Sequence, residues 1–292
     1  MSSAIARRRT TVQTDGESKA RLRAMWANLV SFTLLLGLYF FLYAPLFVTA
    51  LFSFNESSVQ TWPMSGLTGS WYGEMMSNGP LKAAALFSFR ISLTTVAIGM
   101  LFGTYFALLV SRYVKRSRGV LLAALATPVV LPGVVLGISL LVVFRMASIT
   151  PGFWTIVVGH ATFVTPIIMF VVLTRVRTLD PSLEQASFDL GANRVQTFWH
   201  VTLPSIRVAL MAGALLAFTV SFDEIIVTFF LAGVNVTLPV FVWNQLRFGF
   251  TPEVNAIFTV IGVFSVLLII AATMMLTRGS ARSSLVDLGG AT

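Results

Sequence analysis

Two adjacent acidic residues, Asp223 and Glu224, stand inside an apolar run of the chain, "FTVSFDEIIVTFF". A charged side chain near the centre of a membrane helix costs on the order of 2.5–3.5 kcal/mol, so such residues face a bundle interior or water. Carboxylates bind ammonium groups, and the pair therefore predicts a cation site on a substrate pathway. The alternative is an internal ion pair, since Arg90, Arg145 and Arg247 fall near the outer ends of apolar runs.

The remaining residue types exclude several kinds of chemistry. The chain has no cysteine, which excludes disulfides, iron–sulfur clusters and thiolate zinc sites. Its two histidines, His160 and His200, lie far apart, and His160 is interpreted as a polar residue packed between helices rather than a proton relay. None of the lysines, Lys19, Lys82 and Lys115, follows a glycine, so a Walker A phosphate loop is absent. The chain therefore cannot hydrolyse ATP by that route.

The elements that must position these residues are membrane helices. Only 11% of the 292 residues are charged and 56% are hydrophobic, whereas soluble domains carry about a quarter charged. The apolar runs are long enough to cross a bilayer, which takes about 20 helical residues. The sequence predicts an all-α polytopic membrane protein with a kink at Pro128, Pro132 and Gly133 in the third span. Its six predicted spans are 26–54, 83–111, 120–147, 153–174, 206–231 and 254–277.

The distribution of positive charge predicts the orientation. Sixteen of the 20 lysines and arginines fall in segments that share one side of a six-span chain: 1–25, 112–118, 175–207 and 278–292. By the positive-inside rule both termini are cytoplasmic. The net charge of +9 is thus a topology signal and does not indicate nucleic-acid binding. The predicted organisation is a disordered tail, a transmembrane domain over 26–277 and a second cytoplasmic tail.

The longest polar segment between spans, "LEQASFDLGANRVQTFWHVTLP", predicts two short helices joined by a turn. Asp180 is a good N-cap for the first helix, and Gly191 is a typical residue at a helix C-terminus. Asn193 and Gln196 have the spacing of a capping box for the second helix. Pro204 marks the passage into the next span.

The first of these helices has two faces at about 100° per residue. Leu183, Ala186, Ser187 and Leu190 share a small, mostly apolar face, and Glu184, Gln185, Phe188 and Asp189 share the other. Phe188 therefore lies among acids on the side expected to face water. Burying a phenylalanine against a partner is worth about 1.5–3 kcal/mol, which favours docking, and the alternative is a helix lying on the bilayer with Phe188 in lipid.

This segment resembles the EAA loop of binding-protein-dependent ABC importer permeases. The residues that match the pattern, in chain order, are Gln185, Ala186, Ser187, Gly191, Val201, Leu203 and Pro204. Gln185 stands where the pattern has glutamate and Ser187 where it has alanine. Gln185 cannot make an ionic contact at that position, although the adjacent Glu184 can. Residues 178–204 are called the EAA loop below.

The resemblance implies a type I ABC importer permease with six transmembrane helices in a bacterial inner membrane. The EAA loop would be the coupling helix, in a groove of an ATPase subunit. The coupling residues would be Glu184, Gln185, Ala186, Ser187, Phe188, Gly191 and Pro204. The implied partners are a second permease chain, two ATPase subunits, a periplasmic or lipid-anchored substrate-binding protein and membrane lipid. The chain itself would hold no cofactor, since ATP and Mg²⁺ bind to the ATPases.

Further stretches resemble the spermidine/putrescine branch of this family, in particular its second permease: "YAPLFVTALFSFNES", "VVLPGVVLGISLLVVF", "GFWTIVVGHATFVTP", "SFDEIIVTFFLAG" and "TPEVNA". They imply inward transport of polyamines by alternating access. Permeases for iron, thiamine, opines or amino-acid-like solutes are related, so these substrates are the alternative. A self-powered secondary transporter is the rival class, but the EAA loop would then have no purpose.

Overall fold

The structure, a computed structural model, describes residues 2–114, 117–248 and 252–267. Within these ranges the regular structure is helical, apart from one isolated antiparallel bridge between Asn55 and Leu67. The predicted all-α class is confirmed. No other β pairing occurs within the described ranges.

The described residues form twelve α-helices, numbered in chain order. They are α1 (Ser2–Phe52), α2 (Ser70–Ser77), α3 (Gly79–Arg112), α4 (Arg118–Val130), α5 (Gly133–Met146), α6 (Phe153–Val176), α7 (Ser182–Asp189), α8 (Arg194–Thr197), α9 (Leu203–Phe222), α10 (Ile226–Leu231), α11 (Leu238–Phe248) and α12 (Pro252–Leu267). A π-helical turn, Phe198–Thr202, joins α8 to α9.

The first helix is longer than the sequence predicts. The structure continues α1 through the segment expected to be disordered, back to Ser2, and its apolar part is Met25–Phe52. The polar segment is rich in alanine, arginine and other good helix formers, and its first proline within the helix is Pro45. Once a span is helical, adding such residues to its end is favourable, since the nucleus has already formed.

The chain divides into two compact units, residues 1–75 with 250–292, and residues 76–249. In the first unit, hydrogen bonds fix the segment that follows α1. Trp71 Nε1 donates to the carbonyl oxygen of Asn55 at 2.7 Å, and Ser53 Oγ and Tyr72 Oη lie 2.7 Å apart. The indole of Trp71 is therefore fixed by a hydrogen bond to the backbone of the same chain.

In the second unit α6 is the central helix and packs against α3 and α9. Glycines allow α3 to approach closely. A Cβ placed on Gly99 would lie 2.9 Å from Val164 Cγ1, and one on Gly103 would lie 2.9 Å from the carbonyl oxygen of Thr165. Small residues at such crossings are the usual means by which membrane helices pack, since hydrocarbon offers no hydrophobic force between them.

Four helices of the described residues are long and apolar enough to cross a membrane: Met25–Phe52, Gly79–Arg112, Phe153–Val176 and Arg194–Phe222. The predicted third span is instead a bent pair, because α4 and α5 meet at 98°. The kink expected at Pro132 and Gly133 is thus a complete break, since proline cannot donate the helical hydrogen bond. Pro128, expected to kink the same span, lies inside α4, which continues to Val130. The six-span count and the cytoplasmic termini stay predictions, and the end of the sixth predicted span lies outside the described residues.

The predicted fifth span is also broken, so the expectation of one helix over 206–231 is wrong. α9 ends at Phe222 and α10 begins at Ile226. The side chain of Glu224 accepts a hydrogen bond from the backbone N–H of Val227 at 2.9 Å and so begins a new helix. A carboxylate at this position satisfies a free N–H and suits the positive end of the helix dipole.

Candidate functional site

The turn of the EAA loop is formed by the residues that the sequence indicates. Asp180 Oδ1 accepts a hydrogen bond from Ser182 N at 2.9 Å, and α7 begins at Ser182, one residue later than expected. The backbone and side-chain hydrogen bonds from Ser182 hold the pKa of Asp180 below its usual value. At the other end Gly191 has a φ of +86°, which confirms the left-handed position that glycine occupies without strain.

The second half of the loop leads directly into a long helix. Asn193 Oδ1 accepts from Gln196 N at 2.9 Å and Gln196 Oε1 accepts from Asn193 N at 2.8 Å, which confirms the predicted capping box. α8, the π turn and α9 then follow without a gap, and Pro204 lies in the first turn of α9. The helix from Arg194 to Phe222 therefore connects the loop to the acidic pair.

Glu184 points into the protein, which corrects its expected place on the water-facing side. Arg112, at the C-terminal end of α3, forms an ion pair with Glu184. Thr202 Oγ1 also donates to Glu184 Oε1 at 2.7 Å, and Arg112 Nη2 lies 3.2 Å from Thr202 Oγ1. These three residues, called the Glu184 clamp, fasten α7 to α3 and to the π turn. Periodicity within α7 contains no information about Arg112.

The outward face of α7 differs accordingly from the predicted one. Ser187 faces inward, and its Oγ lies 3.0 Å from Thr197 Oγ1. Leu183 and Leu190, expected on the protected apolar side, are exposed, Leu190 by 90%. Phe188 is exposed by 44%, in agreement with its expected position. The exposed residues of α7 and of the position that follows it are Ser182, Leu183, Gln185, Ala186, Phe188, Asp189 and Leu190.

The two acids at the α9–α10 break have different environments. Glu224 is half-buried, its carboxylate caps α10, and its backbone carbonyl accepts from Thr228 Oγ1 at 2.9 Å. Asp223 is exposed, and its carboxylate forms no hydrogen bond or ion pair within the part of the chain that the structure describes. Asp223 is thus the acid whose oxygens can receive a ligand.

The arginines considered as internal partners are not paired with these acids. Within the described ranges no ion pair joins Asp223 or Glu224 to Arg90, Arg145 or Arg247, and all three arginines are exposed. The structure therefore leaves the charge of Asp223 without a protein counter-ion among these residues.

The break that carries the acids lies beside the other helix break. A Cβ placed on Gly133, the first residue of α5, would lie 3.5 Å from Ile226 Cβ and 3.9 Å from Glu224 Oε1. The N-terminal ends of α5 and α10 therefore meet at the Glu224 carboxylate. Discontinuous helices in transporters place backbone carbonyls and helix ends where ions and substrates bind, which makes this junction the candidate substrate site.

His160 of α6 lies directly behind the break. It is 1% exposed, with Nδ1 2.9 Å from Ser221 Oγ and Nε2 2.9 Å from Thr228 Oγ1. The interpretation of His160 as a polar residue packed between helices is confirmed. No group of histidine, aspartate and glutamate side chains capable of holding a metal ion occurs among the described residues.

Sequence reasoning missed the contributions of Arg112, Thr202 and His160 to these sites. Each acts on a residue at least 18 positions away, and no local periodicity reports such a contact. The sequence contained a partial signal for Arg112. It lies at the end of the second predicted span, on the same predicted side of the membrane as the EAA loop, where an arginine can meet an acid of that loop.

The fold and the EAA loop together define a class: a helical membrane subunit of a transport system. Residues 96–283 match the family described as binding-protein-dependent transport system inner membrane component. The chain belongs to this family. It is a permease subunit of a bacterial ABC import system and lies in the inner membrane, as the sequence predicts.

Individual relatives agree with this assignment. The putrescine transport system permease protein PotI of Escherichia coli strain K12 is 34% identical in an alignment of 249 residues, with 82% of this chain and 86% of that protein covered. The spermidine/putrescine transport system permease protein PotC of Haemophilus influenzae is 30% identical over 244 residues, 83% of this chain and 94% of the relative.

Solved structures show the same fold. A bacterial ABC transporter involved in the import of the acidic polysaccharide alginate has a chain that superposes with a TM-score of 0.66 at 16% identity, over 85% of this chain and 95% of that one. The MetNI methionine ABC transporter, in inward-facing conformations, superposes with a TM-score of 0.57 at 17% identity, over 70% and 97%.

Proposed function

We propose that this chain moves polyamines, putrescine or spermidine, into the cell, and that Asp223 binds an ammonium group of the substrate on its way. The observation that carries the proposal is the exposed carboxylate of Asp223, which lacks a protein partner in the described structure and stands at a helix break. The names of the relatives, which specify putrescine and spermidine/putrescine, agree with this chemistry.

The surroundings of Asp223 suit an organic cation. A polyamine has charged ammonium groups separated by apolar methylenes, so it needs both carboxylates and apolar or aromatic surface. Phe222 precedes Asp223 and stacks on Phe218 with ring centroids 5.6 Å apart. Aromatic faces attract cations. The C-terminal end of α9 adds the negative end of a helix dipole beside Asp223, whereas the positive N-terminal ends of α5 and α10 face the Glu224 carboxylate.

The two acids of the pathway have different roles in this proposal. Glu224 already accepts the Val227 N–H, so it mainly fixes the start of α10 and adds negative charge to the junction. Asp223 makes the direct contact with the ammonium group. Both belong to the substrate pathway, and only Asp223 is free to change partners when the substrate passes.

The EAA loop supplies the connection to ATP hydrolysis. Its exposed surface, with Gln185, Ala186, Phe188 and Leu190, docks in a groove of an ATPase subunit, while Glu184 and Ser187 hold the helix from behind. Gly191 and Pro204 shape the loop on either side of α8. This chain hydrolyses no ATP, and the ATP and Mg²⁺ bind to two partner ATPases.

Movement of the loop can reach the substrate site along one helix. The helical segment Arg194–Phe222 has 29 residues, about 44 Å at 1.5 Å per residue, and ends next to Asp223. When ATP binding draws the ATPases together, the loop moves and the junction opens alternately to each side. A second permease chain completes the path, and a periplasmic or lipid-anchored binding protein delivers the substrate.

The test is uptake by the complete transporter reconstituted in vesicles with its binding protein, ATP and radiolabelled putrescine or spermidine. We expect uptake of polyamines, a strong loss in Asp223→Asn and retained uptake in Asp223→Glu, which keeps the charge. Glu56→Gln, at an exposed acid in the segment that follows α1, serves as the charge-matched control. Wild-type polyamine uptake by Asp223→Asn, or uptake of an uncharged or anionic solute in place of polyamines, would contradict the proposal.

A further inference from the structure

Helix α6 holds α10 through three neighbouring residues on one of its faces. Thr155 Oγ1 lies 2.8 Å from the carbonyl oxygen of Leu231, in a buried position, and its single hydrogen is shared between this oxygen and the carbonyl oxygen of Gly152, also at 2.8 Å. A Cβ placed on Gly159 would lie 2.5 Å from Leu231 Cδ1, so a larger residue here would displace the Leu231 side chain. His160 then reaches Thr228 at 2.9 Å. The short helix α10 is therefore held by contacts with α6 as well as by its chain connection to α9.

His160 also spans the break itself. Its Nδ1 contacts Ser221, in the last turn of α9, and its Nε2 contacts Thr228, in the first turn of α10. One side chain thus joins the two helix ends on either side of residues 223–225. Ser221 is 3% exposed and Thr228 is fully buried, so water does not replace either contact.

The hydrogen bonds determine which ring nitrogen carries the proton. Thr228 has a single hydroxyl hydrogen, and it is donated to the backbone carbonyl of Glu224. Thr228 Oγ1 must therefore accept from His160, which places a hydrogen on Nε2. On the other side Nδ1 meets the hydroxyl of Ser221 and no carboxylate. A buried imidazolium without a counter-ion is unfavourable, so the ring is neutral and Nδ1 accepts from Ser221.

We propose that His160, as a neutral Nε2–H imidazole, is a positioning residue that fixes the α9–α10 break and thereby places Asp223 for the transported cation. The second half of this proposal rests on the cation role proposed for Asp223. The tautomer does not depend on that role, and neither do the two hydrogen bonds from His160 to Ser221 and Thr228, called the bridge below. His160 does not touch the substrate, since it is 1% exposed and both ring nitrogens are occupied. Nor does it relay protons to Glu224, because Thr228 donates to the carbonyl oxygen and not to the carboxylate.

The bridge is tested first by nitrogen NMR of the full-length chain in lipid bilayers. The chain has two histidines, so ¹⁵N-histidine labelling gives two pairs of ring-nitrogen signals, and His200→Gln identifies the pair of His160. We expect a neutral ring protonated at Nε2, with a changed Nδ1 shift in Ser221→Ala. A ring protonated at Nδ1, or a doubly protonated ring at neutral pH, would overturn the proposal whatever the substrate is.

The consequence for transport is tested with single contacts removed in the complete transporter. Ser221→Ala and Thr228→Val each delete one hydroxyl, and we expect a roughly three- to tenfold rise in the KM for putrescine, the effect of one lost buried hydrogen bond. Thr162→Val is the matched control, because Thr162 of the same helix bonds only its own backbone, at Gly159. His160→Gln, which keeps a donor toward Thr228, should retain more uptake than His160→Leu.

The outcomes separate this inference from the proposed function. If Asp223→Asn abolishes polyamine uptake while Ser221→Ala and Thr228→Val match Thr162→Val at equal yield of assembled complex, the positioning role is wrong and the cation role stands. If Asp223→Asn transports normally, the cation role is wrong, and the NMR spectrum still decides the bridge. A raised KM in both hydroxyl variants, with normal assembly and an unchanged control, supports the inference.

Discussion

Arg112 and Glu184, 72 positions apart in the sequence, form an ion pair that fastens the EAA loop to the end of α3. Thr202 completes the clamp from the turn that leads into α9. The helix that is proposed to dock on the ATPase is thus held by two membrane helices at once. We therefore expect motion of the docked helix to be passed to α3 and α9 together.

The first prediction concerns this clamp. We expect Glu184→Gln and Arg112→Gln to lower the number of substrate molecules transported per ATP hydrolysed, with little change in overall stability, because both side chains are only partly buried and such pairs contribute at most about 1 kcal/mol. The measurement is uptake and ATPase activity in the same vesicles.

The control for the clamp is the exchanged pair, Arg112→Glu with Glu184→Arg, which restores the ionic contact with the charges reversed. Recovery of coupling in the double variant would identify the pair itself as the cause. Unchanged coupling in both single variants would show that the clamp transmits no force.

The second prediction concerns the turn at Gly191. We expect Gly191→Asp to reduce ATPase coupling while the chain still inserts into the membrane, because a side chain at φ +86° costs about 1 kcal/mol and tilts α7. A Cβ at this position would meet no atom within 4 Å, so the effect is conformational and not steric. Gly191→Asn is the control and should be milder, since asparagine is the usual substitute for glycine at a left-handed helix C-terminus and adds no negative charge there. Equal, full transport by Gly191→Asp would contradict this account.

The third prediction concerns the surface of α7. We expect Phe188→Ala to weaken association with the ATPase subunit by about 1.5 kcal/mol, roughly tenfold in Kd, because the half-exposed ring becomes buried on docking. Binding of the purified ATPase to the permease pair in nanodiscs gives the constant. Gln185→Ala, at a neighbouring exposed polar residue, provides the comparison. Equal affinity for wild-type and Phe188→Ala would place the ring in lipid instead.

Local features of the site could be predicted from the sequence, and features that depend on distant contacts could not. Gly191, Asn193 and Gln196 form turns and caps with residues three or four positions away, so a short stretch contains the complete pattern. The inward direction of Glu184 depends on Arg112, which no helical periodicity contains. The helix over 206–231 was predicted as continuous because hydropathy does not record that Glu224 caps a new helix.

The same reasoning explains the partial success for the acids. Two adjacent acids in an apolar run are energetically unfavourable, and for this reason the sequence analysis singled out Asp223 and Glu224. The structure places both at a helix break. Their division into a capping acid and an exposed acid depends on the backbone N–H of Val227 and on the hydroxyls around His160. The contacts of His160 exist only after α6, α9 and α10 have packed, whereas the Glu224 cap is local and was missed because hydropathy does not record it.

The last prediction separates charge from capping at Glu224. Glu224→Gln retains an oxygen that accepts the Val227 N–H, whereas Glu224→Ala leaves this N–H without its partner. We therefore expect Glu224→Ala to lower stability by about 1 kcal/mol, the usual cost of a lost helix cap, and Glu224→Gln to leave stability nearly unchanged. Uptake of putrescine should fall in both, because both remove negative charge from the junction. Thermal unfolding and uptake, measured on the same preparations, distinguish the two effects. Full uptake by Glu224→Gln would show that Glu224 serves only as a helix cap. Of the two acids, the cation would then require only Asp223.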